Sequence, residues 1–147
     1  MEPNNVFFET KILWSQIDSN QHLRHSAYAD LGAQARIEIL NASGITADVF
    51  KKHHIGPILF REELIYFREI HADDSVKVTC ELVRCRPDGS RWSFRQEIYR
   101  SDGVKAAQIN TDGAWLDTKQ RKLAPPPAEI ASGFGSIPRS QDFTDQI

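Results

Sequence analysis

No run of this 147-residue sequence is apolar for long enough to cross a bilayer as a helix, and its opening "MEPNNVFFET" lacks the basic-then-apolar order of a signal peptide. These absences predict a cytoplasmic chain with no membrane partner. A basic excess is missing too. The net charge is −2, whereas gripping a phosphate backbone normally needs a strong positive balance, so no nucleic-acid partner is expected. Cysteine is scarce: Cys80 and Cys85 lie five apart in what reads as one strand, where odd spacing sends side chains to opposite faces. They are expected to be reduced, unpaired thiols. No CxxC or Cys/His arrangement suggests a metal, and His53-His54 has no third ligand at a recognisable spacing, so no metal site is expected.

What is present fits one domain. In "NVFFETKILW", Val6, Phe8, Thr10, Ile12 and Trp14 share one face, a strand pattern. Ala27, Tyr28, Leu31, Ala35, Ile39 and Leu40 then recur at helical spacing, a helix of about four turns that ends at "NASG", where Gly44 suits a left-handed cap. A short helix through "TADVFKKHH" follows, with Thr46 or Asp48 near its start. After Gly56 everything reads as strands: "PILFREELIYF", "DSVKVTCELVR", "RWSFRQEIY" and "VKAAQINTDGAWLD". Turn signals at "RPDGS" and "SDG" join the later ones.

Tight turns make the late strands an antiparallel meander whose apolar face must be covered, and one long helix is available to cover it. Ala27, Ala29, Gly32, Ala33, Ala35 and Ala42 keep that helix slim. The expected class is α+β, an antiparallel sheet of about five strands wrapped around one long central helix. The Pro-, Gly- and Ser-rich stretch 124–147 reads as a loosely ordered C-terminal tail beyond a domain at 5–123.

The most informative stretch is "IDSNQHLRHSAY", which gathers Asp18, Asn20, His22, Arg24 and His25 immediately before the helix. With Tyr28 ten residues after Asp18, then Ala35-Arg36 and the later run "GPILFREELIYFREIHADDSVKVTCELVR", the chain resembles the hotdog-fold acyl-CoA thioesterases of the 4-hydroxybenzoyl-CoA thioesterase-like branch over about residues 5–123. The loop is also similar to the Asp-x-Asn-x-His version of fatty-acyl thioesterases of that fold. This resemblance implies hydrolysis of an acyl-CoA thioester without a cofactor, with Asp18 as general base or nucleophile. Asn20 and His22 match the downstream positions of one group of relatives, and His25 matches the His that another group carries three residues before the helical Tyr. The sequence departs from both patterns at Arg24, Gln21 and His22, which leaves the division of labour between His22 and His25 open. The resemblance further implies sheets paired edge to edge. Apolar residues on both faces of "ILFREELIYF" agree with a homodimer or a dimer of dimers.

Elementary chemistry is compatible with that function. Thioester hydrolysis needs an activated water or nucleophile and donors for the developing oxyanion, and the free amides of a first helical turn, around His25 to Tyr28, supply such donors. Each residue has a plainer reading as well. Asp18 is a candidate turn residue, Ser26 a candidate N-cap, and His22 and His25 are candidate surface or interface residues. Arg24 is either a solvated charge or a partner for a coenzyme phosphate, and Tyr28 is a core or pocket-wall residue. Arg24, Ser26 and Tyr28 are the substrate-contact candidates. A module of the same fold that binds an acyl group or acyl-CoA without cleaving it is the alternative, and a dehydratase is a weaker third reading.

Overall fold

The computed structural model describes residues 3–147. Strand β1 (Val6–Lys11) leads through a 3-10 turn (Trp14–Gln16) and a polar loop into helix α1 (His25–Ala42), followed by the short helix α2 (Ala47–His53). Strands β2 (Ile55–Tyr66), β3 (Ser75–Thr79), β4 (Glu81–Cys85), β5 (Arg91–Arg100) and β6 (Lys105–Asp117) come next. The chain then adds β7 (Lys122–Leu123), helix α3 (Ala128–Gly133), a second 3-10 turn (Phe134–Ser136) and β8 (Arg139–Thr144).

All strands join one sheet. Antiparallel pairing runs from β2 to β6 to β5, and β5 pairs with both β3 and β4, two halves of one interrupted strand. Beyond them, β1 flanks β3 antiparallel while β8 flanks β4 in parallel. The expected arrangement, a sheet wrapped around one long helix, is the one observed. No helix among the described residues is long and apolar enough to cross a membrane.

Close contact between α1 and the sheet depends on Gly32. A Cβ there would lie 2.6 Å from Ile109 Cδ1, nearer than carbon atoms approach without one of them moving. At the same level the buried Gln96 donates to the Gly32 carbonyl at 2.8 Å and accepts from Arg36 at 2.8 Å, so a polar side chain in the core is satisfied on both sides. Around this bridge the core divides in two. Leu23, Ala27, Tyr28, Leu31, Ile70 and Val76 gather near the start of α1, whereas Ile39, Leu40, Trp92, Trp115, Ile130 and Phe134 gather near its end.

Three local expectations are corrected. The first strand stops at Lys11, and Trp14, expected to share its face with Val6, Phe8, Thr10 and Ile12, lies in the 3-10 turn with 86% of its surface exposed. Cys80 and Cys85 do not face opposite ways. The strand breaks at Cys80, and a register shift between Leu82 and Arg84 inserts an extra residue, so both thiols enter the same apolar cluster. Both are unpaired, and burial pushes each thiol above its ordinary range.

The third correction concerns 124–147. Composition predicts a loose tail, yet Ile130, Phe134 and Ile137 are buried against Trp115, Phe94 and Ile45. Their four- and three-residue spacing is an apolar helical stripe, and it outweighs the turn-forming composition around it. Gly133 lets this segment approach α1's exit, since a Cβ there would sit 2.8 Å from Ile45 Cγ1. Each of these burials contributes about 1.5–3 kcal/mol of transfer free energy.

Candidate active site at the entrance of the long helix

The loop before α1 is a miniature hairpin. Ile17 pairs with Leu23, and the Asp18 amide donates to the His22 carbonyl at 2.9 Å. Inside the turn, Asp18 Oδ1 accepts from the Asn20 amide at 2.9 Å and from the His22 amide at 3.3 Å. Asp18 is therefore a turn-forming residue through one oxygen, in the manner of Asx turns. That bonding fixes the carboxylate's direction. It also stands in the wall of a cavity of about 470 Å³.

His22, His25 and Tyr28 line the same cavity. Asn20 does not: its amide completes the turn and the residue is exposed. Arg24 is turned the other way, with Nε donating to Ser26 Oγ at 3.0 Å and a terminal nitrogen donating to the Ser15 carbonyl at 2.7 Å. The N-cap of α1 is Arg24, with no side-chain cap bond, so the expectation that Ser26 caps the helix is corrected: its hydroxyl is occupied by the arginine. The Ala27 amide bonds the Arg24 carbonyl at 3.0 Å. In the first turn the amides of His25 and Ser26 have no carbonyl one helical turn behind them, and the helix dipole adds positive character there.

Tyr28 is buried and packs edge-on against Tyr66, with ring centroids 5.0 Å apart. Burial, helped by Tyr66, Asp18 and Glu69, pushes its phenol up to about 12, so it stays protonated across the neutral range. Tyr66 in turn donates to the His25 carbonyl at 3.4 Å.

The opposite wall comes from residues that the spacing of the first loop cannot reveal. Phe67, Arg68 and Glu69 follow β2, and Arg100 ends β5. They arrive because Leu23 donates to the Ile70 carbonyl at 2.7 Å and His22 pairs with His71 in an isolated bridge. Arg100 binds both oxygens of Asp102, at 2.6 and 3.1 Å, and donates to the Glu69 carbonyl at 3.1 Å, so it braces the wall. For Phe67, Arg68 and Glu69 the sequence signal is the dense charge of "FREIHADD" directly after a strand, and Arg100 has none.

Across the fold, a model of the thioesterase-like superfamily matches residues 12–134. No curated protein matches the chain. Solved structures similar to it include a hypothetical protein from Staphylococcus aureus in complex with CoA, 14% identical, with a TM-score of 0.82 over 97% of this chain and 94% of that one. The DHNA-CoA thioesterase from Staphylococcus aureus is 19% identical, with a TM-score of 0.74 over 80% and 78%. A 1,4-dihydroxy-2-naphthoyl-CoA thioesterase from Synechocystis is 14% identical, with a TM-score of 0.77 over 88% and 94%. At such identities the likeness is one of fold.

Proposed function

The chain belongs to the thioesterase-like superfamily and has its hotdog fold, and from that premise we propose that it hydrolyses an acyl-CoA thioester to the free acid and CoA. The observation that carries this reading is the Asp18 carboxylate, held by two amides of its own loop in the wall of a cavity that also contains the start of α1. In the proposed reaction Asp18 takes a proton from water, and the resulting hydroxide adds to the thioester carbon. The carbonyl oxygen becomes negative, and the open amides of His25 and Ser26 are suited to stabilise it. Collapse expels the CoA thiolate, a good leaving group that needs no strong acid. A direct attack by Asp18 is the variant of the same reading, passing through a mixed anhydride that water then cleaves.

His22 lies 3.5 Å from Glu69, so His25 is the imidazole better placed to orient water or substrate. Tyr28, kept protonated, closes the pocket behind them. Asn20 serves by shaping the turn, and Arg24 by holding the helix entrance to the Ser15 backbone. No metal or organic cofactor enters this scheme.

The proposed minimum unit is a homodimer. Among the described residues no strand pairs with the outer edge of β2, and Leu59, Phe60, Tyr66 and Phe67 are exposed along or just beyond it. An open edge with apolar residues is one that proteins normally cover. Light scattering should give two or four times the chain mass, and an active monomer would refute this.

The functional test is free-thiol release from short, long and aromatic acyl-CoAs, comparing wild type with Asp18→Asn. Turnover by the wild type that collapses in a folded variant supports hydrolysis at Asp18. Saturable acyl-CoA binding without turnover of any of them would replace the reading with that of a binding module.

A further inference from the structure

We propose that His22, Glu69 and His71 form a binding site for a borderline divalent cation of the zinc class at the rim of the Asp18 cavity. His22 Nε2 lies 3.5 Å from one Glu69 oxygen and His71 Nε2 lies 3.4 Å from the other. One ligand atom from each of the three residues falls within 4.8 Å of the others. Tetrahedral zinc with bonds of about 2.0–2.1 Å separates its ligand atoms by roughly 3.4 Å; each imidazole stands at about that distance from a different oxygen of the one carboxylate, and rotation of Glu69 and the two rings closes the set on a cation.

Backbone pairing builds the cluster. Leu23 and Ile70 are buried and bonded to each other at 2.7 Å, which anchors the two segments. In extended chain the neighbours of an inward residue point outward, so His22 on one segment and Glu69 and His71 on the other emerge on the same side. The direct pairing of His22 with His71 sets their rings edge to face, with centroids 5.2 Å apart. Arg100 holds the Glu69 carbonyl at 3.1 Å and stiffens the second segment. Three ligands that are each partly open to solvent leave a fourth position for water. Two imidazoles and one carboxylate select zinc, cobalt or nickel over magnesium or calcium, which prefer oxygen alone.

His22 and Glu69 also line the Asp18 cavity. A bound cation would fix both side chains and place positive charge at the cavity mouth.

The decisive experiment titrates chelator-treated full-length protein with ZnCl₂ by calorimetry and with CoCl₂ by visible absorption. The expected result is one equivalent bound, with the d–d bands of low-coordinate cobalt. His71→Ala should weaken binding at least about tenfold, since losing a ligand costs no less than losing a second-shell partner. His53→Ala, whose ring sits on Glu129 at a different surface, should bind as wild type does. Absence of saturable binding, or equal affinity in His71→Ala, would overturn the site. The titration does not depend on turnover, so failure of the hydrolase reading is read separately.

Discussion

The two ends of α1 are built from different chemistry on the same helix. At its exit, Ile39 and Leu40 meet Trp92, Trp115, Ile130 and Phe134, and the C-terminal segment closes the space. At its entrance, Ala27, Tyr28 and Leu31 are just as buried, but the layer directly outside them holds Asp18, His22, His25, Tyr66 and Glu69 around a cavity. Polar groups at a helix start have free amides to answer, whereas a helix end packed into an apolar cluster gains by excluding water. The difference separates two kinds of sensitivity: the exit should respond to mutation in stability, the entrance in activity.

The largest expected effect tests the entrance. Asp18→Asn should lower thiol release by about 10²–10⁴-fold, the usual contribution of a general base. The amide oxygen of Asn can still accept from Asn20 and His22, so the turn survives and the melting temperature should stay near the wild-type value. A large fall in stability would instead make Asp18 a turn residue alone.

At the exit, Trp115→Ala should cost about 3–5 kcal/mol in denaturant unfolding, with turnover per folded molecule retained. The indole loses its cluster contacts and its 2.8 Å bond to the Gly89 carbonyl. Ile130→Ala should cost about 2–5 kcal/mol if the C-terminal segment belongs to that core. An effect near zero would return 124–147 to the status of a loose tail.

The smallest effect concerns how β8 is clasped to the sheet. Arg95 donates to both oxygens of Asp142, at 3.0 and 3.3 Å, and holds this carboxyl well below its ordinary range. A depressed carboxylate stabilises the fold above its unfolded pKa and loses that contribution as pH falls through the folded value. Asp142→Asn should therefore melt slightly below wild type at neutral pH, and the two should converge in strong acid. Added salt should narrow the gap, because the pair is solvent-exposed.

Much of this comparison was legible beforehand. The segment "RWSFRQEIY", read as a strand, is β5 with Trp92, Phe94, Gln96 and Ile98 buried in alternation, and the small residues of α1 anticipated close packing against the sheet. Three misreadings share one cause: local composition was taken to speak for distant contacts. Trp14 follows the period of a strand that a 3-10 turn ends early, and the cysteines follow an alternation that a bulge resets. The tail's prolines and glycines obscured a stripe of three apolar residues whose partners lie elsewhere in the chain.

The candidate site divides the same way. Asp18, His22, His25 and Tyr28 are close in sequence, so a short motif could bring them to notice. Tyr66, Glu69, His71 and Arg100 come from two later segments and have no spacing that relates them to the loop. The sequence by itself determined the periodicities, and with them a helix covered by a meander and a polar loop at the helix start. Only the tertiary structure decided which side chains face that loop. Those neighbours are set by the buried pairing of Leu23 with Ile70 and by sheet register, long-range properties that no local pattern encodes.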